Sequence, residues 1–238
     1  MSCFSGNPYG FWLFFKEIEK FFYGSENDFY RSEEMTEIKI SKTVLERLPV
    51  YVHYLRSLPD DEKTNVSSGK IARALGMGEV QVRKDLAFVC GKGRPKTGYE
   101  YGELLKHLEC RLGCKNKTLA VIVGAGRLGK ALLSYEHFSE YGVEIIAAFD
   151  VKVKETENFN GKKIMSISML KDFCRENNIK IGVICVPENA AQEVADKLVD
   201  SSVAAIWNFA PGRITVPDNI RLKHENVAAS AAVLAAGL

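Results

Sequence analysis

The residues whose spacing suggests chemistry lie together in the stretch 119–150. An uninterrupted apolar run, Leu119-Ala120-Val121-Ile122-Val123, leads directly into Gly124-Ala125-Gly126-Arg127-Leu128-Gly129. Apolar residues at every position read as a strand buried on both faces. The hexapeptide matches the G-x-G-x-x-G turn that lets a backbone approach a pyrophosphate. Gly124 permits the tight turn, Gly126 admits the phosphate, and Gly129 allows helix and strand to pack closely. Lys130-Ala131-Leu132-Leu133 then begins a helical pattern, whose first N–H groups lack helix partners and suit phosphate. A second apolar run over residues 143–149 ends on Asp150, about 20 positions past the last glycine, where a dinucleotide fold places its ribose-binding acid. That carboxylate would accept from both ribose hydroxyls and repel a 2′-phosphate, which predicts NAD(H) rather than NADP(H).

Other reactive side chains form no comparable pattern. The histidines (His53, His107, His137, His224) stand in no catalytic arrangement, and no Tyr-x-x-x-Lys occurs. The six cysteines include no C-x-x-C. Cys110 and Cys114 could share a helix face, but no second pair completes a zinc site, so buried thiols of a reducing cytoplasm are expected.

The chain ahead of this stretch has the elements of a DNA reader. From Ile40 the sequence reads as helix, with Val44, Leu48, Val52 and Leu55 at helical spacing and Pro49 expected to kink it. A short helix follows at 68–75, with Ser67 or Ser68 as N-cap and Gly76 as its left-handed stop. After Met77-Gly78 a second helix spans 79–89; Val82, Leu86 and Val89 form its apolar face, and Gln81, Arg83 and Lys84 lie off it. This is helix–turn–helix organisation with a second helix shaped for a major groove. The glycine-rich segment 91–99 carries Lys92, Arg94 and Lys96, which suits a wing reaching phosphates or a minor groove. Ser67, Ser68, Lys70, Gln81, Arg83, Lys84, Lys92, Arg94 and Lys96 are the expected DNA contacts. Residues 101–112 read as a linking helix, and 113–117 as a boundary.

With both halves in view, the chain resembles the Rex family of redox-sensing transcriptional repressors over about residues 40–226. The resemblance rests on Arg47-Leu48-Pro49, Val66-Ser67-Ser68, Val82-Arg83-Lys84-Asp85-Leu86, Gly98-Tyr99, the glycine-rich turn, Ala147-Ala148-Phe149-Asp150, Val186-Pro187 and Asn208-Phe209-Ala210-Pro211. It implies a homodimer that reads a palindromic operator in double-stranded DNA with NAD+ or no nucleotide bound and releases it with NADH. It thus implies a sensor, not an enzyme. The pattern differs at Ala87-Phe88-Val89-Cys90, where the family has Ser-Tyr-Phe-Gly, and at Ala228 and Ala229, where it has Asp and a bulky residue. His53 stands where some members have an Arg that pairs in the conformational switch.

Beyond Asp150, residues 151–163 are expected as a loop with a short strand at its end, and 169–177 as helix. Strands are expected at 181–186 and 204–208, with a helix at 190–199 between them. Ligands bind outside the carboxyl ends of such strands, so Val186, Pro187, Asn208 and Phe209 are expected to border the nicotinamide half. Core packing is an equal alternative for Phe209. Residues 227–238, almost all Ala, Val and Leu, read as a helix whose apolar surface needs a partner. In the family it crosses to the other protomer; the alternative is a helix folded onto its own sheet.

The expected architecture is thus an α/β Rossmann domain with a doubly wound parallel sheet, preceded by an all-α, winged-helix DNA-binding domain. The winged helix spans 37–113, the NAD(H)-binding domain 114–226, and the terminal helix 227–238. Residues 1–36 form an aromatic-rich extension without clean periodicity, basic n-region or cleavage site, so no signal peptide is expected. Met35 is expected as the natural start, with the residues before it an upstream-start artefact. A net charge of +2 singles out no partner, and no apolar stretch reaches transmembrane length. Two rival readings remain: an NAD-dependent oxidoreductase with a small N-terminal cap, and a DNA-binding protein sensing coenzyme A or an adenine nucleotide. The first lacks a catalytic constellation and a substrate domain. Asp150 counts against the second, because it repels a ribose phosphate.

Overall fold

The computed structural model describes residues 40–236; the expectations for residues 1–36 and Met35 lie outside them. The first helix, α1 (Lys42–Arg56), places Leu48, Tyr51, Val52 and Leu55 in the core. It continues through Pro49, with buried residues anchoring it on both sides of the proline. Next come β1 (Asn65–Val66), α2 (Ser68–Leu75), α3 (Glu79–Cys90), β2 (Tyr99–Glu100) and α4 (Tyr101–Leu112). Ser67 caps α2, its Oγ accepting from the Lys70 N–H at 3.1 Å, and Gly76 ends it at φ 63°. Strands β1 and β2 pair antiparallel. Ile71, Val82, Leu86, Leu104 and Leu108 meet α1 in one apolar core.

After Gly113 comes a seven-stranded sheet, in the order β5-β6-β4-β3-β7-β8-β9. Its strands are β3 (Thr118–Val123), β4 (Val143–Asp150), β5 (Glu157–Phe159), β6 (Lys162–Ser166), β7 (Ile181–Ile184), β8 (Ala205–Asn208) and β9 (Arg221–His224). All neighbours are parallel except β5 and β6. Helices α5 (Arg127–Leu133), α6 (Leu170–Glu176) and α7 (Glu188–Asp200) connect them. Two apolar clusters pack on the sheet, one around Val121, Phe149 and Leu198, the other around Ile122, Leu133 and Val183. Both parts of the chain fall within one compact unit, Thr43–Leu238.

Three expectations need correction. Residues 151–163 begin as the expected loop but hold two short strands, not one: β5 and β6 form an edge hairpin turning through Asn160 and Gly161, at φ 51° and 78°. Strand β9 was not anticipated. Its residues are mostly polar and exposed because it pairs on one side only, as the sheet's edge. The expected strand through Val186 stops at Ile184, so Cys185, Val186 and Pro187 belong to the turn beyond it. The last helix, α8 (Val227–Ala236), buries none of its residues and is not folded onto its own sheet.

Candidate functional site

Where β3 ends, the chain turns through Gly124 at φ 103°, and its N–H donates to the Phe149 carbonyl at 2.7 Å. A Cβ at Gly124 would lie 2.4 Å from the Cys185 carbonyl oxygen, and one at Gly129 would lie 1.9 Å from that of Gly124. Both positions therefore exclude any side chain. Gly126 differs, since a Cβ there would meet nothing within 4 Å. It is the N-cap of α5 and opens onto a cavity of about 680 Å³, a volume within the range of ligand pockets. Asp150 stands beside this opening. Its Oδ2 accepts from the Ala125 N–H at 2.8 Å, and its Oδ1 accepts from the Lys152 N–H at 2.9 Å. The cradle and the acid thus fit a dinucleotide, with room at Gly126 for a pyrophosphate.

Of the expected nucleotide contacts, Gly124, Ala125, Gly126, Asp150, Val186 and Pro187 line the cavity. Arg127 and Leu128 are exposed on α5, and Gly129 is buried beneath the turn. Asn208 does not line the cavity. It is fully buried; its Oδ1 accepts from the Ala210 N–H at 3.0 Å, and its Nδ2 lies 3.1 Å from His224 Nδ1. These bonds close the loop after β8. Phe209 is half-buried and packs against Trp207, ring centres 4.6 Å apart. Sequence reasoning missed Lys130, Lys152 and Cys185, which also line the cavity. The two lysines lay next to quoted motifs; burial pushes the Cys185 thiol up to about 12.

The helical part presents its basic residues around α3. Arg83 and Lys84 are exposed on it, and Arg83 Nη1 lies 3.9 Å from Glu79 Oε1. Lys70 is already engaged, its Nζ 2.8 Å from Glu62 Oε2. Ser67 is committed to its cap, Ser68 is half-buried, and Gln81 is exposed. The expected wing is a hairpin in which Arg94 and Gly98 exchange both backbone hydrogen bonds, at 2.7 and 2.9 Å. Lys96 occupies its tip at φ 69°. Gly98 is pressed so closely on β1 that a Cβ would lie 2.5 Å from the Val66 carbonyl oxygen. Tyr99 braces the base: its hydroxyl donates to the Gly91 carbonyl at 3.0 Å and its ring lies under Gly93. Among the described residues, Lys84, Lys92 and Lys96 enter no ion pair.

Behind these groups is a contact that sequence reasoning did not anticipate. Asp85 of α3 is buried and accepts both Arg47 Nε at 2.7 Å and Nη2 at 2.8 Å, while the Tyr51 hydroxyl donates at 2.7 Å. Burial opposes the Asp85 charge, but the hydrogen bonds from Arg47 and Tyr51 outweigh it and hold the carboxyl below its usual range. Burial and the Asp85 bond push the Tyr51 phenol up to about 12. Helix α3 is thereby locked to α1.

Comparison with known proteins places the whole arrangement. The redox-sensing transcriptional repressor Rex of Carboxydothermus hydrogenoformans is 40% identical over 201 residues, spanning 84% of this chain and 97% of that one. The chain belongs to the Rex family. The Rex repressor of Porphyromonas gingivalis is 35% identical over 201 residues, spanning 84% and 92% of the two chains. The structure is similar to that of RSP, a Rex-family repressor, in complex with β-NAD+ and operator DNA, with a TM-score of 0.76 and 32% identity; the match covers 82% of this chain and 91% of RSP. It also resembles RSP in complex with β-NADH, with a TM-score of 0.73 and 31% identity over 83% and 93% of the chains. Within this chain, a family model described as "CoA binding domain" matches residues 115–212, and one described as "Putative DNA-binding protein N-terminus" matches residues 39–87. The first match spans the glycine-rich turn and Asp150, and the second α1, α2 and most of α3.

Proposed function

We propose that this chain represses transcription as a homodimer on palindromic operator DNA and is released by NADH, so that it reports the NADH/NAD+ ratio. The observation that carries this reading is the open cradle at Gly126 with Asp150 beside it, in a chain that also holds a basic reading helix and wing. Gly124, Ala125 and Gly126 would hold the pyrophosphate, Asp150 the adenosine ribose, and Val186 and Pro187 the nicotinamide end. NAD(H) supplies the redox signal, since its two forms differ in the charge and planarity of the nicotinamide. Arg83 and Lys84 would meet bases and phosphates, and Lys92, Arg94 and Lys96 the backbone beside them.

A homodimer is supported by α8, where Val227, Val233 and Leu234 are 69%, 74% and 76% exposed. Such a surface needs a partner, and a second copy supplies one by exchange of the same helix. No helix of the described residues is long and apolar enough to cross a membrane, and a repressor of this kind would work in the cytoplasm. The role is that of a sensor without turnover. A DNA-shift titration with NAD+ and NADH in parallel tests the reading: NADH should release the operator and NAD+ should not. Steady oxidation of NADH by a small ketone or aldehyde would instead support an oxidoreductase.

A further inference from the structure

Arg56, the last residue of α1, ties α1 to two other elements at once. Its Nε and Nη2 both donate to Glu109 Oε1 in α4, at 3.1 and 2.7 Å. Nη2 also donates to the Glu140 carbonyl at 3.1 Å, and Nη1 lies 3.6 Å from Glu140 Oε2. The guanidinium carbon stands 5.6 Å from the centre of the Tyr141 ring. Glu140 and Tyr141 belong to the 3-10 turn Glu136–Tyr141, between α5 and β4. That turn has a particular place in the chain. Through α5 it leads back to the glycine-rich loop, and through β4 it leads on to Asp150, the two walls of the nucleotide cavity.

The turn also rests on the linker between α4 and β3. Gly142 follows it at φ 74°, and a Cβ there would lie 2.4 Å from the Gly113 carbonyl oxygen and 2.5 Å from that of Asn116. The Thr118 N–H donates to the Gly142 carbonyl at 2.8 Å. At the opposite end of α1, Lys223 of β9 lies 3.8 Å from Glu46. Helix α1 thus has contacts with the sheet part near both ends, and at the Arg56 end they are close and directional. A planar guanidinium fixes its donors in a fork, which orients three partners in a way that a single ammonium cannot.

We propose that Arg56 is a positioning residue for the nucleotide response: it holds the winged helix at a set angle to the nucleotide cavity. A shift of the cavity walls then reaches the DNA-reading helix through the 3-10 turn. Helix α3 follows because the Arg47–Asp85 contact locks it to α1. Two winged helices must meet half-sites at a fixed spacing, so a change of angle alters operator affinity without altering a DNA contact. This inference rests on the sensor reading above.

The experiment compares the full chain with Arg56→Met, Arg56→Lys and Glu109→Gln. For each, operator Kd is measured at saturating NAD+ and at saturating NADH, with NADH Kd and melting temperature alongside. Arg56→Met should keep the NADH Kd of the unsubstituted chain, while its ratio of operator Kd values collapses to one. Arg56→Lys should keep part of the ratio, and Glu109→Gln should lower it. If Arg56→Met folds poorly, Glu109→Gln carries the test, since it removes one charge and preserves side-chain size. A purely structural role would lower the melting temperature and leave the ratio intact, and that result overturns the proposal. An unsubstituted chain indifferent to NADH would overturn the sensor reading first, and this inference with it.

Discussion

Asp150 Oδ2 accepts the Ala125 N–H at 2.8 Å, so the acid at the end of β4 holds the glycine-rich turn that follows β3. The Lys152 N–H braces the other carboxylate oxygen at 2.9 Å. The group proposed to read the ribose therefore also shapes the loop proposed to hold the phosphates. Replacing Asp150 with Ala should weaken NADH binding by roughly 1.5–3 kcal/mol, the range for a hydrogen bond to a charged group, as read by fluorescence titration. Unchanged affinity would refute the assignment.

Arg83 and Lys96 should fail in different ways. Arg83→Ala should relax preference at one operator position, with about 1–3 kcal/mol of discrimination lost. Its exposed contact with Glu79, 3.9 Å away, is loose enough for the side chain to turn towards a base edge. Lys96→Ala at the wing tip should weaken all duplexes alike and flatten the salt dependence. Binding to operator and scrambled duplexes over a salt series separates the two.

Asp85 should make the winged helix acid-sensitive. Its carboxyl is held below the usual range when folded, so its contribution is complete above the unfolded carboxylate pKa of about 4. It is lost as the pH falls through the folded value, when the carboxylate takes up a proton. Asp85→Ala should destabilise by about 1.5–3 kcal/mol at neutral pH, because it removes the charged acceptor that holds Arg47 and Tyr51. The same variant should lose part of the decline in stability below about pH 4. Urea melts across pH check both, and equal stability of the two chains at pH 7 would contradict the buried pair.

The response to NADH should be weaker than is usual. A ligand shifts a two-state equilibrium only by its differential affinity, and the positions where the family carries an aspartate and a bulky side chain are Ala228 and Ala229 here. We expect NADH to lower operator affinity, relative to NAD+, by less than about fivefold, the lower edge of ordinary allosteric coupling. A ratio of several hundred would show that the two alanines do not weaken the switch, and a ratio of one that the redox response is lost.

The motifs around Gly124, Gly126, Gly129 and Asp150 were readable in advance because the spacing of residue types along one continuous stretch is itself the signal. A turn at φ 103° and a Cβ position filled by a carbonyl admit only glycine. The helix–turn–helix was readable for the same kind of reason: Ser67 and Gly76 bound α2 through caps that involve their immediate neighbours. The Asn160-Gly161 hairpin was equally local, since paired positive φ values favour that dipeptide, but the charged residues around it masked the signal. Contacts between distant positions could not be read this way. Arg47 meets Asp85 across 38 positions, and Arg56 meets Glu109 across 53. Nothing in either residue's neighbourhood names its partner; the packing of α1 against α3 and α4 does. Likewise Asn208 turned inward because the chain after β8 and the His224 ring on β9 supplied its hydrogen-bond partners, and a buried amide takes the partners that packing brings to it.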